Sequence, residues 1–375
     1  MSPRVAHAAF FVMTKNKTVL VAMSGGVDSS VAALLLKEQG YEVVGAHMKL
    51  WDYVEVGGDI YRDGRCCTLD SITDCRFVCD RIGAPFYVLN MSEAFSRGVI
   101  ENFVSEYRSG RTPNPCVRCN SEIKWVEFLR KAREIGCEYI ATGHYSFVER
   151  GPAGRWHIRR GLDRSRDQSY VLWGLSQEAL SHTLMPLGAL HKSDVREIAR
   201  KHGLRTADKV ESREICFVAD DNYRRFLREY EERRGRRFEP GEIVHERGEV
   251  LGRHPGTAFY TIGQRKGLGI AYPTPLYVQK IDIEQNRVIV GDNDSLFSRD
   301  FTANQVNWVG QGYRQEPFRA QAKIRYMHIA SPATIEPINE NAVRICFDEK
   351  QRAITAGQSV VFYDDDILVG GGVIV

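Results

Sequence analysis

Nowhere in its 375 residues does the chain carry an apolar run approaching the ~20 residues a helix needs to cross a bilayer. The apolar stretch from Ala8 to Met13 is short, with charge and a strand close behind. An untidy tail is expected there rather than a signal peptide. A large excess of one charge is also missing. The net charge of +3 excludes a uniformly basic coat, so RNA contact would have to come from local patches. No internal repeat or long low-complexity tract is found. The nine cysteines are an odd number and no export signal precedes them, so reduced thiols in a cytoplasm are expected. What is present is ordinary soluble-protein material, 43% hydrophobic and 26% charged. It is too long for one core, and two or three domains are expected.

The most informative stretch is Ser24-Gly25-Gly26-Val27-Asp28-Ser29. It follows an apolar strand, Thr18 to Met23, and opens a helix, Ser30 to Lys37. A strand, a glycine turn and a helix start focus unpaired N–H groups and the positive end of the helix dipole on one spot, which suits phosphate oxygens. The glycines permit positive φ and close approach. The loop lacks the Gly-Lys-Ser/Thr ending of a Walker A motif, so no lysine reaches a terminal phosphate. An aspartate and hydroxyls suit magnesium pyrophosphate instead. The pattern resembles the pyrophosphate loop of the ATP pyrophosphatases, which split ATP between its α and β phosphates and adenylate a substrate. The plainer alternative is a glycine turn of an α/β protein.

The first half alternates strands (Thr18–Met23, Glu42–Met48, Phe86–Leu89, Glu138–Thr142) with helices near Ser29–Gln39, Asp70–Ile82, Ser92–Ser109, Ser121–Ile135 and Ser193–His202. That predicts an α/β unit, a parallel sheet with helices on both faces, binding ligands at the carboxyl ends of its strands. The loop after Met23, the His47-Met48-Lys49 end and Gly143-His144-Tyr145 meet that rule. Tyr223 to Arg237 is a mixed-charge stretch expected to be a solvated helix and linker. From Pro240 the chain turns all-β. Short strands are expected at Gly241–Val250, Ala258–Ile262, Leu276–Ile283, Arg287–Val290, Ala320–Tyr326, Ala342–Phe347 and Ser359–Phe362. The expected division is a tail at 1–16, an ATP-cleaving catalytic domain at 17–219, a central β-rich linker domain at 220–290 and a C-terminal β-barrel at 291–375.

Thr112-Pro113-Asn114-Pro115-Cys116-Val117-Arg118-Cys119-Asn120 holds the chain extended through its prolines and delays the helix to a cap at Asn120 or Ser121. Cys119 then lies near a helix N-terminus, where dipole and Arg118 favour thiolate. Redox, metal ligation and chance remain open for the Cys-x-x-Cys pair alone. Cys216, after a polar loop, reads by itself as a small buried hydrophobe. Cys66, Cys67, Cys75 and Cys79 suggest zinc, but the last two are spaced i, i+4 on a helix with no histidine near in sequence, and packing is expected. Cys137 and Cys346 read as interior. His144 suits either nucleotide contact or a structural hydrogen bond. Arg166-Asp167-Gln168-Ser169-Tyr170 suits a helix cap or a substrate clamp equally. Tyr260 to Leu268 places Arg265 and Lys266 on a glycine-flexed turn, and Lys323-Ile324-Arg325-Tyr326 alternates basic and apolar residues on a strand. Both suit phosphates or base stacking.

The ordered set SGGVDSS, GAHMKLW, TPNPCVRCN, ATGHY, RDQSY, SREICFV and YTIGQRKGLG resembles the bacterial tRNA-specific 2-thiouridylases, from about Lys17 to the C-terminus. The resemblance implies an ATP pyrophosphatase domain, a small central domain and a tRNA-binding C-terminal barrel. It implies replacement of the 2-carbonyl oxygen of a wobble uridine by sulfur, in the tRNAs for lysine, glutamate and glutamine, with a sulfur-carrier protein as persulfide donor. By the same resemblance, Ala22, Met23, Ser24, Gly25, Gly26, Val27, Asp28, Ser29, Met48 and Gly143 hold ATP, with Mg²⁺ at Asp28. Asn114, Pro115 and Cys116 face the target base. Cys119 is the nucleophile and Cys216 carries the persulfide, the two closing a disulfide in turnover. Arg166, Asp167, Gln168, Arg325 and Tyr326 touch tRNA. One departure stands out: many members have aspartate where this chain has Cys116. Cys116, Cys119 and Cys216 would then supply three ligands for a 4Fe–4S cluster, a route not favoured over the cluster-free persulfide. Two rivals are a small-molecule ligase of the same ATP family, such as one making argininosuccinate, and a non-catalytic RNA-binding module. The first needs neither the cysteine pair nor the barrel, and the second leaves the loop and both cysteines unexplained.

Overall fold

A computed structural model describes residues 17–52, 56–57, 69–209, 215–218, 220–310 and 312–375. Strands β1 (Thr18–Ala22), β2 (Glu42–Lys49), β3 (Phe86–Asn90), β4 (Tyr139–Ala141) and, after the hairpin β5 (Ser146–Arg150) and β6 (Trp156–Arg160), β7 (Thr183–Leu184) supply the first half. Five of them pair in parallel in the order β3-β2-β1-β4-β7. The run Thr18 to Ala22 is apolar because β1 is central and covered on both faces. Helices Val27–Glu38, Leu69–Ile82 and Lys192–Lys201 pack Val31, Val78 and Val195 on one face. Residues 92–108 and 115–134 pack Phe95, Phe103, Ile123 and Phe128 on the other. The chain leaves β1 toward β2 on one side and reaches β4 on the other. The switch point therefore falls between the carboxyl ends of β1 and β4, the usual place for a ligand crevice in such a sheet.

The α/β class expected from the pattern is present, followed by two β-rich units. The smaller contains β8 (Gly241–His245), β9 (Val250–His254), β10 (Tyr277–Asp282) and β11 (Arg287–Gly291), in the order β10-β11-β8-β9. Gly241–Val250, expected as one strand, is a strand and a turn leading into β9. Ala258–Ile262 is not a strand, since residues Thr257–Phe259 form a 3₁₀ turn. The larger unit is β12 (Phe297–Trp308), β13 (Phe318–Lys323), β14 (Ser331–Asn339), β15 (Ala342–Arg352), β16 (Ser359–Asp364) and β17 (Ile367–Ile374). β12 pairs with both β15 and β17, which closes the barrel and leaves no open edge between them.

One expectation needs correction here. The helix Tyr223–Glu232 is not simply solvated, because Phe226, Leu227 and Tyr230 are buried along one face. The arginine and glutamate content hid that face: buried Glu231 is held by Arg108 and by Arg236 (2.7 Å), so charge occurs inside as well as outside. The sheet of the C-terminal unit also takes strands from the first half. β6 pairs antiparallel with β17, at Leu368 opposite Ile158, so the β5–β6 hairpin of the first half extends the C-terminal sheet.

Candidate active site

The glycine loop is tied down by its own hydroxyls. The Met23 N–H donates to the Ala46 carbonyl (2.8 Å), prolonging the β1–β2 pairing by one residue. Gly25 then turns with φ at +72°, where a Cβ would lie 2.7 Å from Ser71 Cα, so glycine is required there. Ser29 and Ser30 donate to the Gly26 carbonyl (3.1 and 2.8 Å), and the Ser24 N–H donates to Ser29 Oγ (3.1 Å). Gly26 caps the helix without any side-chain bond to its first-turn N–H groups, which leaves an anion cradle. Behind the loop, buried His47 donates through Nδ1 to the Met23 carbonyl (3.1 Å), and burial pushes its pKa down.

Lys192 is the residue the motif did not announce. Its ammonium bonds both Asp28 oxygens (2.7 and 2.8 Å) and is only 8% exposed. The Tyr145 hydroxyl donates to Asp28 Oδ1 (2.7 Å). Gly143 lies so close to the helix start that a Cβ would sit 2.7 Å from the Asp28 carbonyl carbon. The loop itself carries no lysine, and a lysine instead reaches Asp28 from a helix 164 residues on. No short-range pattern could announce it, since Lys192 opens an ordinary amphipathic helix.

The cysteine segment differs from its expected form in one respect. Asn114, not Asn120 or Ser121, caps the helix by accepting from the Val117 N–H (3.4 Å). Pro115 occupies the first helical position, where its missing N–H costs nothing. Proline breaks a helix interior but not this first position, so the helix starts several residues before the expected cap. Cys116 is thus in the first turn, and Cys119 begins the π-helical segment Cys119–Glu127 that continues the helix. Such π segments often mark functional positions. Asn120 is buried, donating to the Val171 carbonyl (2.9 Å) and accepting from Lys124 (2.9 Å). Lys124 holds the Cys116 thiol pKa down, but crowding by neighbouring atoms outweighs it and the pKa is raised, although Cys116 keeps surface contact with solvent. Buried His144 is kept neutral chiefly by desolvation and secondarily by Lys124. Its Nδ1 lies 2.7 Å from the Thr142 hydroxyl. Cys119 is buried in the same hydrophobic cluster against which half-buried Cys216 packs. Phe217 anchors that end among Phe95, Phe103 and Phe226.

The barrel closes over this segment. Gln358 donates to the carbonyls of Thr112 (3.1 Å) and Pro113 (3.0 Å), and the Thr112 N–H donates to Ala356 (2.9 Å). Tyr170 donates to the Ser359 carbonyl (2.9 Å) and its hydroxyl also bonds the Asn114 side chain. Tyr326 meets Tyr170 edge-on at 6.1 Å, and the Lys323 ammonium lies over both rings at 5.5 and 5.6 Å. Burial lowers the Lys323 pKa. The β13 strand ends at Lys323, so Arg325 and Tyr326 are in a turn and not on the expected strand. Tyr326 also lies close enough to Cys116 to feel its charge, so the two tyrosines and Lys323 cluster beside Asn114 and Cys116.

Comparison with known proteins bears on this arrangement. A model described as the tRNA methyl transferase HUP domain matches residues 17–220. Its PRC-barrel counterpart matches 224–292, and an aminomethyltransferase β-barrel domain matches 298–374. The tRNA-specific 2-thiouridylase MnmA of Clostridioides difficile is 48% identical over 96% of this chain and 99% of its own length. That of Carboxydothermus hydrogenoformans is 51% identical over 96% of this chain and 98% of its own. The chain belongs to the tRNA-specific 2-thiouridylase family. A solved complex of a 4-thiouridine synthetase with RNA and bound ATP overlaps only loosely, with 14% identity, a TM-score of 0.33, and coverage of 57% of this chain and 50% of that one.

Against what membership in the 2-thiouridylase family implies, the loop from Ala22 to Ser29, Met48 and Gly143 surround one crevice at the ends of β1, β2 and β4. Asn114, Cys116, Tyr170 and Tyr326 come together where the barrel meets the cysteine segment. Asp167 and Gln168 have partners within the fold: Asp167 accepts from the N–H groups of Gly161 and Ser169 (both 3.1 Å), and Gln168 accepts from the Tyr145 N–H (3.0 Å). They brace the Tyr145 loop, and Gln168, at the start of the turn Ser169–Leu172, makes no side-chain cap bond there. Cys75 and Cys79 are buried by packing, as expected, with thiol pKa values pushed up to about 12. Cys346 is half-buried rather than interior. Cys66 and Cys67 lie outside the described residues. Among the described residues no three His, Cys, Asp or Glu side chains gather closely enough to hold a metal ion. Cys116, Cys119 and Cys216 form no such group. No described helix is long and apolar enough to cross a membrane.

Proposed function

We propose that the protein thiolates the 2-position of a wobble uridine in tRNA, in the cytoplasm, at the expense of ATP. The observation that carries this is an anion cradle at the ends of the parallel strands together with a cysteine segment, Thr112 to Cys119, that the barrel clamps beside Tyr170, Tyr326 and Lys323. The relatives, tRNA-specific 2-thiouridylases by name, support the same reaction. The family-model description speaks of methyl transfer, but a pyrophosphate-type loop and buried Cys119 suit activation and sulfur delivery better. A ligase for small molecules would have no use for a barrel clamped onto the Thr112–Cys116 segment.

In this reading the loop from Ala22 to Ser29, with Met48 and Gly143, binds ATP. The uracil 2-oxygen attacks the α phosphate, and pyrophosphate leaves against the first-turn N–H groups. Asp28 is the carboxylate fitted to hold Mg²⁺, a hard ion taken by one carboxylate plus phosphate oxygens, which when bound neutralises charge on the pyrophosphate. Lys192, released from Asp28, then supplies a cation to the phosphates. The terminal sulfur of a Cys216 persulfide, loaded by a sulfur-carrier protein, attacks carbon 2 and AMP departs. Cys119 thiolate attacks the Cys216 sulfur, breaking the S–S bond to leave sulfur on carbon 2 and forming a Cys119–Cys216 disulfide. In the variant order, Cys119 first frees hydrosulfide, which attacks carbon 2. Two electrons from a thiol reductant reset the pair. Asn114, Pro115 and Cys116 hold the flipped base, and Arg166, Arg325 and Tyr326 hold the RNA. The target tRNAs are those for lysine, glutamate and glutamine. Replacing Cys119 and Cys216 by serine, one at a time, should abolish 2-thiouridine in a tRNA transcript as read by mass spectrometry. Wild-type thiolation by either variant would sink the two-cysteine scheme.

A further inference from the structure

The turn after β13 exposes two large apolar side chains next to Tyr326, whose hydroxyl lies within reach of the Cys116 charge. Met327 and Ile329 are both 85% exposed, and Tyr326 is 39% exposed. The turn is nevertheless firmly held. The Arg325 guanidinium donates to the carbonyls of Arg352 (2.9 Å) and Ala353 (3.4 Å). The His328 N–H donates to the Arg325 carbonyl (3.0 Å), and its ring Nε2 lies 2.9 Å from Gln351 Oε1. Ser331 donates to the Ile329 carbonyl (3.2 Å), and Ile324 is buried. Arg325 and His328 are thus fixed inward while Met327 and Ile329 project outward from a preorganised turn.

We propose that Met327 and Ile329 form a wedge that enters the anticodon loop and fills the gap left by the flipped uridine. This rests on the tRNA-thiolation reading above. A base that leaves its stack exposes the faces of its neighbours, and apolar side chains inserted between base steps are a common way of holding such a gap open. Charge complementarity favours RNA as the occupant: Lys323 at the end of β13 and Arg166, whose charge reaches Tyr326, put positive charge beside the turn for the flanking phosphates. Size favours it as well. Two side chains expose far less than the roughly 800 Å² per partner that a stable protein interface buries, yet they suffice to cover two base faces.

The test uses the full-length protein and an anticodon stem-loop carrying 2-aminopurine next to the wobble uridine. Wild-type binding should raise the fluorescence as the neighbouring base unstacks. The M327S/I329S double variant should still bind, since the cations remain, but with the rise at least halved and turnover at saturating RNA lowered about tenfold, roughly 1.4 kcal/mol of barrier. M327L/I329L should restore both. Wild-type fluorescence gain and turnover in the serine variant would overturn the wedge alone. So would a serine variant impaired only in accepting sulfur from a carrier protein, which would make the turn a protein dock. A wild-type enzyme that neither binds the RNA nor makes 2-thiouridine would overturn the thiolation reading itself.

Discussion

Asp28 and Lys192 are an unequal pair: the lysine side chain is 10% exposed and the aspartate 31%. Removing the aspartate takes two charge-assisted bonds from a buried ammonium, whereas removing the lysine leaves a carboxylate that still has Tyr145 and solvent. Asp28→Ala should therefore destabilise the fold by about 2–3 kcal/mol, and Lys192→Met by about 1 kcal/mol or less. Urea unfolding of both variants checks the order, and the reverse order would mean the pair is not organised as described. Thiol chemistry separates the cysteines in the same way. Burial pushes the thiols of Cys75 and Cys79 up to about 12 and that of Cys137 up to about 11, so at pH 8 all three should resist iodoacetamide in the folded protein. Cys116, open to solvent but also raised, should label slowly and faster with rising pH. Peptide mass spectrometry after timed alkylation reads this directly.

At the level of elements, the crevice depends on how closely the end of β4 approaches the helix Val27–Glu38. Gly143→Ala would push a methyl into the Asp28 backbone and move the cradle. The expected result is a KM for ATP raised about tenfold, equivalent to about 1.4 kcal/mol of binding, with RNA affinity unchanged. Equal loss of RNA affinity would place Gly143 outside the nucleotide crevice. The loop, the parallel strands and most helix bounds were legible in the sequence because strand runs such as Thr18 to Ala22 and caps are local features. The cysteine helix was misread because Pro115 breaks a helix everywhere except at the one position it holds. Lys192 and the Gln358 clamp were illegible for a different reason: each meets its partner across more than 150 residues, where no periodicity operates.

Across the whole molecule, the catalytic half and the barrel are one construction. β6 pairs with β17, Asn307 donates to the carbonyls of Trp173 (2.6 Å) and Leu175 (3.0 Å), and Gly371 abuts the Trp173 ring. A fragment ending at residue 220 would leave β6 an open edge and expose Tyr170 and Trp173, and should aggregate when expressed alone. A soluble, ATP-binding fragment would contradict this. Stability also carries a pH signature. His47, His144, His254 and His328 all have folded pKa values below the ordinary 6.5, in each case chiefly through burial. Between the folded and ordinary values the unfolded chain binds more protons, so stability rises with pH in that window. It should fall on acidification below about 6.5, by up to about 1.4 kcal/mol per pH unit for each histidine kept neutral. Urea midpoints between pH 5.5 and 7.5 would record the slope.

The central claim is that ATP is cleaved to activate a uridine oxygen that sulfur then replaces. Purified protein given ATP, Mg²⁺, a persulfide donor and a tRNA transcript allows AMP, ADP and 2-thiouridine to be counted in one reaction. The account predicts AMP and 2-thiouridine in equal amounts, with AMP formation dependent on tRNA. ADP as the nucleotide product, or 2-thiouridine formed without AMP, would contradict it.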